Sequence, residues 1–132
     1  MNFNNITDRY LENNVMTASP EQLTLMLYNG CIKNINLAHL SIEAKDVELS
    51  NRHIGKAQDI IFELKATLNF KFEISKQFST MYDFIIENLI DANIKKDAEH
   101  LDIALRFVTE FRDVWYEAMK IKGASSKPSK VV

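Results

Sequence analysis

From Ser19 to Ile42 the chain carries a helical signal that leaves few alternatives. Ser19 is followed by Pro20 and, three residues on, by Gln22. Serine suits an N-cap, proline gives up no hydrogen bond at the first helical position, and glutamine can reach back to close a capping box. Beyond this start, apolar residues from Leu23 through Tyr28, Cys31 and Ile35 to Leu40 and Ile42 cover most of the cylinder. A helix apolar nearly all round has to be enclosed by other protein. The spacing therefore predicts a central post, from Ser19 to about Ala44, in an all-helical bundle.

Only three glycines and two prolines interrupt the 132 residues, and no period-two alternation is sustained, so no strand is expected. Asp46 reads as a turn or cap before a second helix over Val47–Asn69, with Ile54, Ala57, Ile61, Leu64 and Leu68 in the 3–4 spacing of a bundle seam. A third helix is expected over Lys71–Ala92, its seam running through Ile74, Phe78, Met81, Ile85 and Leu89. Asn93–Lys96 is a short polar connection, and Asp97 is a good N-cap for a fourth helix ending near Gly123. Short connections between long helices make neighbours antiparallel. The expected fold is all-α: an antiparallel four-helix bundle over residues 16–122, preceded by a mobile N-terminal arm or cap (1–15) and followed by a disordered tail (123–132).

A chain of this length fits one domain. A net charge of −2 gives no electrostatic reason to expect nucleic acid or an anionic membrane. Cys31 is the only cysteine, which suits a reducing cytosol, and no apolar run approaches the roughly 18 residues needed to insert in a bilayer. Partners are expected to be met by shape and apolar contact.

Catalytic patterns are missing. A di-iron bundle needs Glu-x-x-His pairs, and the nearest approach is Asp97-x-x-His100 at a helix start. One cysteine and three scattered histidines give no zinc spacing, and neither a nucleophile triad nor a glycine-rich phosphate loop occurs. No enzyme activity, metal or cofactor is expected. His53, followed three residues on by Lys56, has part of the pattern around the exposed histidine of helical phosphotransfer bundles, although Gly55 and Ala57 fit it imperfectly. A phosphotransfer bundle and a generic helical adaptor are the alternative readings.

The helices carry more apolar surface than a bundle consumes. On the fourth helix Ile103, Phe107, Val114 and Ile121 widen the apolar arc to roughly 200°. Phe84, Ile86 and Ile90 do the same on the third, Ile60 and Phe62 on the second. An exposed apolar band marks a partner site, unless homodimerisation or the N-terminal arm absorbs it. Phe3, Ile6 and Tyr10 fall at i, i+3 and i+7, so the arm can present one apolar face and cover a groove. A groove between helices suits another amphipathic helix.

Five blocks of the sequence occur together. The first is Tyr10-x4-Val15-x-Thr17-Ala18-Ser19-Pro20-x2-Leu23-x-Leu25-Met26-Leu27-Tyr28-x-Gly30. It is followed by Asn51-x2-Ile54-x-Lys56-Ala57-Gln58-x-Ile60-Ile61-x-Glu63-Leu64, then by Met81-Tyr82-Asp83-Phe84, Ala92-Asn93-x3-Asp97 and Phe111-Arg112-Asp113-x-Trp115. In this order, over about residues 6–120, they resemble the FliS family of flagellar export chaperones for flagellin. The resemblance assigns Lys56 to its second block and so counts against His53 as a phosphate carrier.

The resemblance implies an antiparallel bundle with an N-terminal cap, working without a cofactor in the bacterial cytosol. It implies binding of flagellin's C-terminal region, disordered before assembly, as helices laid on the surface. Premature polymerisation is thereby prevented and the cargo delivered to the export gate of the type III secretion apparatus. The arm would occupy part of the groove, with Ile6 and Tyr10 as its matching residues and the tyrosine also contacting the gate. The outward residues Ile60, Phe84, Phe107 and Val114 are the groove candidates. Other flagellar partners and a homodimer stay open.

Overall fold

A computed structural model describes residues 17–126, the last four as backbone alone. The expected arm at 1–15, with Ile6 and Tyr10, and the tail beyond residue 126 lie outside the described residues. Four helices account for most of the rest: α1 (Pro20–Glu43), α2 (Val47–Ala66), α3 (Ile74–Lys95) and α4 (Ala98–Ser126).

Three of the four starts are set by a side-chain cap. Ser19 is extended and closes the capping box: its Oγ accepts from the Gln22 N–H at 3.2 Å, and its own N–H donates to Gln22 Oε1 at 2.9 Å. Asp46 caps α2 by accepting from the Leu49 N–H at 3.1 Å, and Asp97 caps α4 by accepting from the His100 N–H at 3.0 Å. Helix α3 has no side-chain cap. The first and last connections each place a lysine in the left-handed region, Lys45 at φ 59° and Lys96 at φ 51°. That conformation usually falls to glycine or asparagine at a helix end.

The helices form a ring in which α1 packs on α2, α2 on α3, α3 on α4, and α4 back on α1. Cross-helix bonds fix the directions. Along α1 and α4, His39 meets Asp102, Asn29 meets Arg112 and Glu21 meets Lys122, so the two run antiparallel. Lys65 with Asp83 and Lys96 with Asn51 give the same result for α2 and α3. The fold is the antiparallel four-helix bundle expected. Its core draws on every helix, with Ile35, Ile61, Leu89 and Leu101 fully buried.

Two expectations need correction. Helix α1 is one corner of the ring, not a central post: its buried residues are Tyr28, Cys31, Ile35, Ala38 and Ser41, while Leu40 is 62% exposed. One stripe of α1 meets the core, and two neighbours can enclose no more. The second correction concerns helix ends. Helix α2 stops at Ala66 because Thr67 Oγ donates to the Leu64 carbonyl and Ser75 Oγ to the Asn69 carbonyl, organising a polar turn in place of another helical turn. Helix α4 passes through Gly123 to Ser126.

The Lys65–Asp83 ion pair sets the end of α2 level with Asp83. Residues 74–82 of α3 therefore run on past α2, beside the second half of α4.

Candidate functional site

Where α3 outruns α2, its side chains and those of α4 form an open apolar face. Phe107, Glu110 and Val114 succeed one another at helical spacing on the α3-facing flank of α4. With Phe78, Met81 and Phe111 they line a trough of about 210 Å³. Phe84 closes one end, its ring edge-to-face with Phe107 at 5.2 Å between centroids. The floor is rigid. Phe111 packs on Phe78 at 5.5 Å, Tyr82 at 5.1 Å and Tyr28 at 6.1 Å, and the two tyrosine hydroxyls meet at 2.6 Å.

The rim is open to solvent. Val114 is 68% exposed and Phe84 40%. Glu110 is the one charged lining residue, and Arg106 holds it at 3.4 Å. Ala118 lies four turns past fully buried Ala104, and Lys122 four turns past fully buried Val108, yet both are exposed. Among the described residues, the side of α4 that faces the core at Ala104 and Val108 is open to solvent at Ala118 and Lys122. Trp115 anchors this stretch to α1, its indole N–H donating to the Glu21 carbonyl at 3.0 Å, and Lys122 Nζ donates to Glu21 Oε1 at 2.6 Å. The Lys122 bond holds the Glu21 carboxyl below its ordinary range.

Of the sequence candidates, Phe84, Phe107 and Val114 come together on this face. Ile60 does not. Its Cδ1 lies 3.5 Å from where a Cβ on Gly30 would sit, which places it at the α1–α2 seam, across the ring. Phe78 and Met81, expected in the seam, both line the trough, and Phe78 also packs against the core. Their signal was obscured because their exposure depends on where α2 ends.

His53 is half-buried, with Nδ1 3.3 Å from Asn34 Oδ1; burial first, then Lys56 and Arg52, lower its pKa. Among the described residues no group of His, Cys, Asp and Glu is placed to hold a metal ion. No helix among them is long and apolar enough to cross a membrane.

Comparison with known proteins agrees with this architecture. Residues 3–122 match the family model described as flagellar protein FliS. The chain is 48% identical over 111 residues to the flagellar secretion chaperone FliS of Bacillus subtilis (strain 168), covering 84% of each chain. It is 33% identical over 108 residues to the protein of that name from Salmonella typhimurium, covering 80% of each. A crystal structure of a bacterial flagellar chaperone superposes with a TM-score of 0.71 at 19% identity, over 88% of this chain and 96% of that one, and so shares the fold. The chain belongs to the flagellar protein FliS family, whose curated members are flagellar secretion chaperones.

Proposed function

We propose that this chain binds the C-terminal segment of flagellin as amphipathic helix on the α3–α4 face and acts without catalysis in the bacterial cytoplasm. The open trough between Phe84 and Val114, continuous with the uncovered end of α4, carries the proposal. Flagellin subunits assemble by burying apolar helical faces, so a free subunit presents surface that can nucleate filaments. A trough offering equivalent burial competes for that surface. Ordering a flexible cargo segment offsets part of the binding free energy, which keeps the complex releasable at the export gate. The family names of the relatives, flagellar secretion chaperones, support the client class.

Val114→Asp tests it. The side chain is mostly in solvent, so the variant is expected to keep its helical circular dichroism and to change stability by less than about 0.5 kcal/mol. Its affinity for a synthetic flagellin C-terminal peptide, measured by titration calorimetry, is expected to fall by about tenfold or more. Phe107→Asp should have a larger effect, with some loss of stability because Phe107 also packs on Phe84. Unchanged affinity in both variants would remove the trough from the binding site.

A further inference from the structure

A second valley lies on the other side of α4, where it meets α1. Leu25 and Asn29 of α1 and Arg112, Asp113 and Tyr116 of α4 enclose a depression of about 340 Å³ there. One edge of the Arg112 guanidinium is fixed by its chain neighbour: Nε and Nη2 each lie 3.0 Å from Asp113 Oδ1. Nη1 reaches Asn29 Oδ1 only at 3.5 Å, the outer limit of a hydrogen bond. A guanidinium has five N–H donors, so two remain without an acceptor among the described residues. The Asn29 side-chain N–H groups and the Tyr116 hydroxyl likewise bond to no other described residue. Lys120 stands at the rim with its ammonium 5.4 Å from the centre of the Tyr116 ring and 3.5 Å from Glu117 Oε1, so that pair is balanced in charge. Within the lining, donors thus outnumber acceptors, and its one carboxylate, Asp113, is already engaged and largely solvated.

We infer that this depression is a subsite for a carboxylate borne next to an apolar side chain. The outer edge of the Arg112 guanidinium takes the carboxylate as a fork, displacing its long contact to Asn29, whose amide then donates to the same group. Leu25 supports the apolar neighbour. The inference rests on the proposed client in the α3–α4 trough, because a chain leaving that trough reaches the depression by crossing α4. The crossing is about 10–12 Å, the width of a helix, and three or four extended residues span it. The carboxylate can be the client's chain terminus or an acidic side chain near it.

The experiment has two arms. In the first, the full chain is titrated with N-acetyl-leucine and, separately, N-acetyl-leucinamide while the Arg112 Nε–H and Asn29 side-chain amide resonances are followed. The acid is expected to shift both saturably and the neutral amide neither, with the response lost in Arg112→Gln and reduced in Asn29→Ala. Equal shifts from both probes, or none, overturn the subsite. In the second arm, flagellin C-terminal peptides with a free terminus, an amidated terminus, or amides in place of the last acidic side chains are compared on wild type and Arg112→Gln. A loss of about tenfold on one substitution, present in wild type and absent in Arg112→Gln, identifies the source of the carboxylate. Equal affinity for all three peptides overturns the subsite's part in client binding and leaves the trough reading standing. Failure of every peptide to bind overturns the trough reading, while the N-acetyl-leucine arm still decides whether the subsite exists.

Discussion

Tyr28 and Tyr82 share one hydrogen bond between hydroxyls 2.6 Å apart, in an interior where each residue is 3% exposed. Burial raises both hydroxyls above their ordinary pKa of 10.0, and for Tyr28 the bond to Tyr82 raises it further. Burial also pushes the Cys31 thiol up to about 12. A group whose pKa is raised by folding keeps its proton in the folded chain after the unfolded chain has lost it. Its stabilisation is complete below the unfolded pKa and declines as pH rises above that value. Urea midpoints are therefore expected to hold steady to about pH 9 and then fall, with each tyrosine contributing up to about 1.4 kcal/mol per pH unit above 10. Tyr28→Phe leaves the other hydroxyl buried alone and should cost about 1–3 kcal/mol at neutral pH. Adding Tyr82→Phe should cost much less than a second such loss, and flatten the alkaline decline. Equal, additive losses would mean that the pair is not a unit. Each tyrosine was legible in the sequence, Tyr28 within the first helical run and Tyr82 within the block Met81-Tyr82-Asp83-Phe84. Their partnership was not, since 54 residues separate them and they sit on helices that are not neighbours in the ring.

The starts of α1, α2 and α4 were legible, while α3 begins at Ile74, not Lys71, without a side-chain cap. Of the ends, that of α1 near Ala44 was legible and the later ones were not, for a physical reason. A start is announced by one residue whose side chain bonds the first turn, and Ser19, Asp46 and Asp97 each do so. An end depends on competition between the next helical bond and whatever else can take the carbonyl. Thr67 and Ser75 won that competition at the end of α2, whereas Gly123 did not stop α4. Lys96 ends α3 with the left-handed turn expected of glycine, and its ammonium bonds the side-chain oxygens of Asn51 and Asn93, an anchorage that sequence spacing does not announce. The strength of a start signal can be measured. Ser19→Ala removes the acceptor for the Gln22 N–H and unseats the reciprocal bond. A loss of about 1 kcal/mol is expected, seen as a fall of about 3–5 °C in Tm. Glu21, whose backbone and side chain anchor Trp115 and Lys122, lies in the same turn. Trp115 is the chain's single tryptophan, so its fluorescence in Ser19→Ala shows whether the turn loosens before the bundle unfolds.

Three of the four groove candidates met on one face, and the exception shows what periodicity leaves out. Hydrophobic spacing separates inward from outward on one helix, but it does not say which neighbour an outward residue will meet. Phe84, Phe107 and Val114 happen to flank the same pair of helices, and Ile60 flanks another. The ring also has an asymmetry that no single helix shows. Because α2 stops level with Asp83, α3 and α4 run on with α1 as their remaining helical neighbour among the described residues, and exposed Ala118 and Lys122 continue the line of buried Ala104 and Val108. Local stability should follow that asymmetry, since amides are protected in proportion to the buried contacts that must break to expose them. Amides of α4 around Leu101–Val108 are expected to exchange only on global unfolding. Those from Ala118 to Lys122 should exchange at least about a hundredfold faster, with Trp115 at the boundary. If the uncovered end is where a client helix completes the bundle, a flagellin C-terminal peptide should slow exchange from Val114 to Lys122 far more than at Leu101–Val108. Uniform protection along α4 in the free chain would show that its last turns are held by more than Trp115 and Lys122, and the open end would then lose its claim as a docking place.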